Sequence, residues 1–469
     1  MLVRHQYRAH FIHEDEVERL LQRATGATPA TMRKVIEKAR LAQGLTIDEV
    51  ALLLGTMDAA TEQVLYSAAH EVKLEIYGRR VVLFAPLYVS NHCVNNCRYC
   101  GYRQDHHFPR RRLTMEELEE EVKALERMGH KRLALEAGED PALCPVDFIV
   151  DCIRTIHAVK LDQGSIRRVN VNIAAATEDE YAQLKEAGIG TYILFQETYH
   201  RPSYRHWHPR GPKSDYDWHT TAHHRAMRTG LDDVGLGVLF GLYDWRFEVL
   251  ALLQHARSLE EEFGVGPHTI SVPRLRPAAG VDLSTFPHLV PDRDFRRLVA
   301  ILRLAVPYTG MILSTRESPP MRDWLMDHGI SQLSAGSCTG VGGYQREGSQ
   351  DPGDAGQFEV EDRRSPDQML IAICESGYLP SYCTACYRKG RTGDRFMSLA
   401  KTGAIQELCE PNALLTFKEY LLDYASPKLR RVGEKLIEER TRAIANPRLN
   451  QMLLEALRLV EAGKRDLYL

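Results

Sequence analysis

Three cysteines, Cys93, Cys97 and Cys100, occur in the stretch Cys-Val-Asn-Asn-Cys-Arg-Tyr-Cys, with three and then two residues between them. Soft thiolates select iron-sulfur clusters, and three of them ligate three corners of a four-iron cube while the fourth iron stays open. An open iron is a place for chemistry as well as for electron storage. A zinc knuckle is the competing reading, but structural zinc takes four ligands, and His92 directly beside Cys93 is poorly placed to be one. A second group, Cys383-Thr-Ala-Cys386 followed after twenty-two residues by Cys409, again offers three sulfurs. No histidine follows His328, so zinc would lack a fourth ligand in register there, and a second iron-sulfur cluster is favoured. Cys144, Cys152, Cys338 and Cys374 stand alone among apolar or small residues and read as small buried hydrophobes.

The elements that must position these groups follow from hydrophobic periodicity. Residues 14–77 read as helices separated by short turns, with Thr46 as an N-cap, so that 1–78 is an N-terminal helical segment. From residue 80 short β-branched or apolar runs alternate with helical stretches. The runs are 81–89, 132–138, 167–174, 191–198, 233–242, 268–276, 310–317 and 330–337. The helices between them include one that begins with a capping box of Thr114 and Glu117. Eight such units predict an α/β fold, a full (βα)8 TIM-type barrel over 79–338, whose active site lies in the loops that follow the strands. The first cysteine group follows the first run. Residues 339–378 read as a loop and a connecting helix, with the Gly-, Asp- and Gln-rich stretch 340–365 expected to be a long mobile or functional loop. Residues 379–469 read as a C-terminal α-helical appendage that carries the second cysteine group.

Composition narrows the function. Sixty basic against sixty-three acidic side chains leave a net charge of -3, which argues against a nucleic-acid footprint or a polybasic membrane surface and points to a small substrate. No apolar run reaches membrane-spanning length and the first twenty residues lack the apolar core of a signal peptide, so a cytoplasmic protein is expected. Ten cysteines, six of them in two tight groups, indicate metal ligation in a reducing compartment rather than a disulfide framework.

The first cysteine group, with Tyr99 before its last cysteine and Gly101 after it, resembles the signature of the radical SAM superfamily. The resemblance implies a 4Fe-4S cluster whose open iron chelates the amine and carboxylate of S-adenosyl-L-methionine, and whose electron cleaves that cofactor to a hydrogen-abstracting 5'-deoxyadenosyl radical. It places Tyr99 near adenine. Ala137-Gly138-Glu139 is similar to the superfamily's Gly-Gly-Glu segment, which meets the methionyl amino group, with alanine in place of the first glycine. Glu197, ending the fourth run, would serve the ribose hydroxyls or the methionyl end, with a plain surface acid as the alternative. Residues 200–219, with four histidines in an aromatic and basic setting, read as a substrate-enclosing lid; no histidine pair there shows helical metal-ligand spacing with a carboxylate.

Taken with the barrel, residues 195–199 and 266–277 and the terminal cysteine spacing resemble the radical SAM tyrosine lyases that mature [FeFe]-hydrogenase, over nearly the whole chain. The tyrosine lyases that make dehydroglycine for thiamine thiazole biosynthesis are similar through the barrel but lack the appendage; a non-enzymatic iron-sulfur carrier is the third reading. The resemblance implies cleavage of L-tyrosine at Cα–Cβ to p-cresol and dehydroglycine. It further implies conversion of dehydroglycine to carbon monoxide and cyanide, captured as an iron precursor on an auxiliary iron-sulfur cluster with an additional iron. That iron would be bound partly by a histidine and by a free amino acid such as cysteine. A ferredoxin or flavodoxin as electron donor and other hydrogenase maturation proteins are the implied partners.

Within that resemblance Arg316, at the end of the seventh run, is the candidate partner of the tyrosine carboxylate. Ser314 and Thr315 are candidate helpers, although strand alternation should keep them from both facing inward with it. Arg274 and Arg276 are alternatives that read equally as ion-pair members. His268, just before the sixth run, should lie at the N-terminal end of the barrel where the appendage meets it, and is the candidate ligand of the additional iron. His255 is weaker because its helix should face outward. The barrel interior is a candidate path between the two sites.

Overall fold

The computed structural model describes residues 6–345 and 356–469. All eight expected runs become parallel strands: β1 (Arg80–Ser90), β2 (Arg132–Ala137), β3 (Arg168–Asn172), β4 (Tyr192–Ile193), β5 (Val234–Gly237), β6 (Thr269–Ser271), β7 (Gly310–Leu313) and β8 (Gln332–Ser334). Each pairs with the next, and β1 pairs with both β2 and β8, so the sheet closes on itself. Regular pairing is shorter than the apolar runs, because several leave the ladder early to form the loops at the C-terminal mouth. A parallel barrel strand is buried on both faces. In β1 the alternation is plain: Phe84, Pro86 and Tyr88 line the interior, while Leu83, Ala85 and Leu87 are fully buried outside it.

Four N-terminal helices, Glu14–Ala24, Pro29–Ala39, Ile47–Leu53 and Ala59–Tyr77, form the expected layer. Thr46 caps the third with a full capping box through Glu49, and Thr114 with Glu117 does the same for Met115–Arg127. No described helix is long and apolar enough to cross a membrane.

The appendage is more than helical. A ninth strand, β9 (Leu379–Ser381), runs parallel to the first residues of β1, pairing Arg80 with Leu379 and Val82 with Ser381. Val82 is also paired with Gln332 of β8, so β9 takes the opposite edge, which β2 occupies further along from Ala85. The second cysteine group is thereby threaded into the barrel's N-terminal rim. A three-residue strand containing Pro380 carries too little periodicity to be recognised in sequence, and proline suits only such an edge position. Helices Gly393–Lys401, Ile405–Asp423, Pro427–Arg442 and Pro447–Glu461 complete the region.

Residues 346–355 of the expected mobile loop lie outside the described residues, but its described flanks are fastened. The Tyr344 hydroxyl donates to the Pro86 carbonyl at 2.7 Å, and the backbone N–H groups of Glu361 and Asp362 donate to the Thr315 carbonyl at 2.9 and 3.1 Å. Asp362 is buried between Arg322 and Arg364.

Barrel and appendage meet closely at Gly129, whose φ of +87° is left-handed and whose missing side chain leaves room for the Tyr420 ring. Gly129→Ala would add a strained backbone and a collision with that ring, and should cost about 2 kcal/mol or more. A clearly lowered melting temperature checks this.

Candidate functional site

The first cysteine group follows β1 at the C-terminal mouth, and its backbone is pinned from several sides. Val94 N–H donates to the Glu139 carbonyl at 2.8 Å, Asn96 N–H to Arg210 at 3.1 Å, Arg98 N–H to Trp207 at 3.0 Å and Gly101 N–H to Gln357 at 3.2 Å. Gly138 permits this approach, because a Cβ there would run into the His92 carbonyl and sit 3.2 Å from the Cys93 Cβ. Cys93, Cys97 and Cys100 line one cavity of about 880 Å³ together with Tyr99, Gly138, Glu139, Glu197, Lys213 and Arg316.

Burial pushes all three thiols up, Cys100 to about 11; repulsion from neighbouring thiolates adds to it at Cys97 and Cys100, and Glu139 at Cys93. Three thiols that cannot all ionise alone, spread around a cavity, are a donor set that a polycationic cluster core completes. The residues present therefore fit a four-iron cluster.

Around this cavity the polar groups are already oriented. Asn95 Nδ2 donates to Glu139 Oε2 at 2.5 Å, and Asn95 Oδ1 accepts from Lys213 N–H at 2.9 Å. Glu197 is buried rather than a surface acid. It leaves β4 with a φ of +69°, a left-handed conformation rare outside glycine, and accepts from Lys213 Nζ at 2.7 Å. Burial works against the Lys213 charge, but Glu197 and the Cys97 thiolate outweigh it and hold the ammonium above its ordinary range. The Tyr99 hydroxyl meets His208 Nε2 at 2.8 Å, and His208 Nδ1 lies 2.8 Å from the Tyr204 carbonyl. A carbonyl only accepts, so Nδ1 carries the proton and Tyr99 donates to Nε2.

The expected lid over 200–219 is instead a fixed wall of short helices, Arg201–Trp207 and Tyr216–Thr220, with Tyr204, Trp207, His208, Trp218 and His219 buried. Lys213 is not legible in that histidine-rich run. A lone lysine has no spacing signature.

Below the mouth, a second cavity of about 760 Å³ fills the barrel and shares Glu136, Asn172, Phe195, Arg316 and Gln357 with the first. Ser314, Thr315 and Arg316 all line it, contrary to the alternation argument, because β7 ends at Leu313 and the period of two no longer applies. The Arg316 guanidinium stacks 3.5 Å over the Phe358 ring, and its side chain makes no hydrogen bond among the described residues. The hydroxyls of Thr315, Ser334 and Ser337, which line the same cavity, are buried without hydrogen-bond partners among the described residues. Arg274 and Arg276 are both committed elsewhere: each donates to Glu317, at 3.0 Å from Arg274 Nε and 2.6 Å from Arg276 Nη2, and Arg274 also holds Asp292. Glu136, unremarked in the sequence, faces both cavities. Burial raises its carboxyl to about 8, against the opposing pull of Arg316 and Asn172.

At the opposite rim, Cys383, Cys386, Cys409 and His268 line a third cavity of about 600 Å³ with Arg80, Arg132, Arg168 and Arg391. Cys383 follows β9, Cys386 lies in the helical turn Ala385–Arg388, and Cys409 in the helix Ile405–Asp423. A hydrogen bond with Cys409 lowers the Cys386 thiol, with Arg391, Arg80 and Arg168 assisting against burial. Arg132 Nε and Arg391 Nε and Nη2 are buried with no partner among the described residues, while Arg132 Nη2 donates to the Cys383 carbonyl at 3.1 Å. Guanidinium N–H groups left open around three thiols fit an anionic, thiolate-bound cluster. Burial lowers His268 to about 4, which leaves a neutral imidazole, the form that binds metals. His255 lines none of these cavities; it is buried because its helix is covered, and it stacks on His224 and on Phe11 of the N-terminal segment.

This barrel, with three cysteines in the loop after β1, defines the class: residues 87–253 match the Radical SAM superfamily, and residues 271–379 match the Biotin and Thiamin Synthesis associated domain. The 2-iminoacetate synthase of Escherichia coli (strain K12) is 31% identical over 347 residues, 74% of this chain and 89% of that protein. A crystal structure of HydG, a maturase of the [FeFe]-hydrogenase, aligns with a TM-score of 0.96 and 57% identity over 98% of this chain and 100% of that one. HydG from Carboxydothermus hydrogenoformans gives 0.82 and 38% over 95% and 99%. The chain belongs to the radical SAM family that contains the HydG maturases and the 2-iminoacetate synthases.

Because the folded state holds Glu136 protonated to about pH 8 while an unfolded chain ionises it near its ordinary value of 4.5, its neutral form is stabilising at low pH and that contribution is lost as pH rises toward 8. Glu136→Gln keeps the neutral shape, so its melting temperature should rise relative to wild type across that window. Parallel pH profiles for the two proteins are the check.

Proposed function

We propose that this protein is a radical SAM tyrosine lyase that cleaves L-tyrosine at Cα–Cβ to p-cresol and dehydroglycine. It then forms carbon monoxide and cyanide at the opposite rim, supplying an iron carbonyl cyanide precursor for the [FeFe]-hydrogenase. The observation that carries this reading is the pairing of three-cysteine cavities at the two ends of one barrel with an interior cavity of mixed polar and apolar lining between them. Likeness to HydG over 98% of the chain supports it, whereas the 2-iminoacetate synthase match leaves about a quarter of the chain unmatched.

At the mouth, Cys93, Cys97 and Cys100 hold a 4Fe-4S cluster that with S-adenosyl-L-methionine supplies one-electron cleavage and a hydrogen-abstracting radical. Glu139, kept in place by Asn95, and the backbone at Gly138 receive the methionyl ammonium. Glu197, oriented by Lys213, takes the ribose hydroxyls, and Tyr99 walls the adenine. Deeper, Arg316 forks onto the tyrosine carboxylate, with Ser314 and Thr315 as further donors. Glu136, neutral near pH 7, presents a proton rather than a charge to the substrate. The buried wall of 201–220 excludes water from a reactive intermediate.

At the far rim, Cys383, Cys386 and Cys409 hold the auxiliary cluster and His268 an additional iron. Arg80, Arg132, Arg168 and Arg391 balance the negative charge of the thiolates and of a free amino acid such as cysteine. Gln332 lines both the interior cavity and the rim cavity and stands at the passage between them. A ferredoxin or flavodoxin delivers electrons to the mouth, and other hydrogenase maturation proteins receive the iron product.

Cys386→Ala should leave p-cresol formation from tyrosine largely intact under anaerobic reduction while abolishing carbon monoxide, followed by haem trapping. Loss of both would overturn the division of labour, and glyoxylate without carbon monoxide from the wild type would favour the 2-iminoacetate synthase activity instead. Arg316→Gln should raise the KM for tyrosine by about 10- to 100-fold, the worth of a charged hydrogen-bonded contact, without changing the iron content.

A further inference from the structure

His268 enters the rim cavity from the residue before β6, with its ring packed on Phe396 at a centroid distance of 4.5 Å. Its Nδ1 is buried and has no hydrogen bond among the described residues, and 3.5 Å away lies Oδ1 of Asp233. Asp233 sits immediately before β5 and is itself buried. Its Oδ2 accepts from Arg168 Nη2 at 2.9 Å, and the same Oδ1 that faces His268 accepts from Gly393 N–H at 3.1 Å.

Gly393 belongs to the connector between Cys386 and Cys409. Its φ is +51°, and a Cβ would stand 2.7 Å from the Asp232 Cβ, so the connector lies directly against the base of β5. The neighbouring Thr392 hydroxyl donates to Asp232 Oδ2 at 2.8 Å. One carboxylate thus touches the histidine ring, the cysteine connector and a barrel-base cation.

An imidazole that gives one nitrogen to a metal carries its proton on the other, and a carboxylate at that N–H fixes the tautomer and strengthens the donor. We propose that Asp233 is the positioning residue of the auxiliary-iron site. It accepts the Nδ1 proton of His268, so that Nε2 is the nitrogen left for a ferrous ion beside the three thiols. Through Gly393 it also holds the cysteine connector at a fixed height against that ring. The inference rests on the reading of His268 as the iron's ligand. The rival account makes Asp233 only a counterion of Arg168, with the histidine a bystander.

The two accounts separate on the full-length protein, reconstituted anaerobically with 57Fe and sulfide and then titrated with ferrous ion. Wild type, Asp233→Asn, Asp233→Ala and His268→Ala are compared by Mössbauer area of the non-cluster ferrous iron and by electron-nuclear double resonance of 15N-histidine. Asp233→Asn is isosteric and decides the matter if Asp233→Ala fails to fold. Both Asp233 variants should keep about four irons per cluster. They should bind the extra ferrous ion about 10- to 100-fold more weakly, with a shifted histidine coupling. Wild-type affinity and an unchanged coupling in Asp233→Asn would overturn the proposal and leave Asp233 a counterion. Retention of the extra iron in His268→Ala would instead overturn the underlying reading of His268, whatever the Asp233 variants do.

Discussion

Six thiols gathered at the two ends of one barrel, Cys97 and Cys409 buried and the other four half-buried, are the constraint on which the rest of the structure depends. A buried thiolate is costly unless cations or metal answer it, and two groups of three must be answered separately. The chain does so with two different surroundings. At the mouth the thiols share a cavity with Lys213 and Arg316 and with the carboxylates of Glu136, Glu139 and Glu197. At the rim the surroundings are four arginines with Asp233 behind His268. Holding the second group at the rim is the work of β9, whose pairing with Arg80–Val82 fixes Cys383 against the base of β1.

The barrel interior follows from the same demand. Small barrels are ordinarily filled by layers of large apolar side chains. Here the inward positions include Asn170, Asn172, Ser271, Gln332 and Ser334, and a cavity remains. At the waist, Gly310 has no side chain, and a Cβ there would lie 2.7 Å from Gln332 Nε2, so the glycine makes room for the carboxamide that separates interior from rim. The compensating apolar packing sits outside the strands, against helices such as Trp245–Phe263 and Asp292–Ala305, where the buried leucines and isoleucines concentrate.

What could be read from sequence was whatever repeats or is spaced. Eight strands announced themselves by period, the caps at Thr46 and Thr114 by residue type, and the cysteine groups by interval. His268 was legible through chain topology alone, since a residue before a barrel strand must lie at the N-terminal rim. Features set by tertiary proximity were not legible. Lys213 and Glu136 have no local signature, and only the fold brings the first to Glu197 and the second between two cavities. His255 failed as an outward residue because the N-terminal segment carrying Phe11 covers its helix. The alternation rule failed at Ser314 to Arg316 because it holds only while the strand lasts.

The unequal charge of the two ends gives the barrel a direction. A mouth with both signs present, Glu136, Glu139 and Glu197 beside Lys213 and Arg316, suits ligands that carry both charges. A rim with Arg80, Arg132, Arg168 and Arg391 suits anions. In a low-dielectric interior the field between such ends acts over the length of the barrel with little screening. An anion in the interior therefore has a potential to descend toward the rim, while a neutral molecule does not. The same cations that make three clustered thiolates tolerable also draw anions to that end of the barrel.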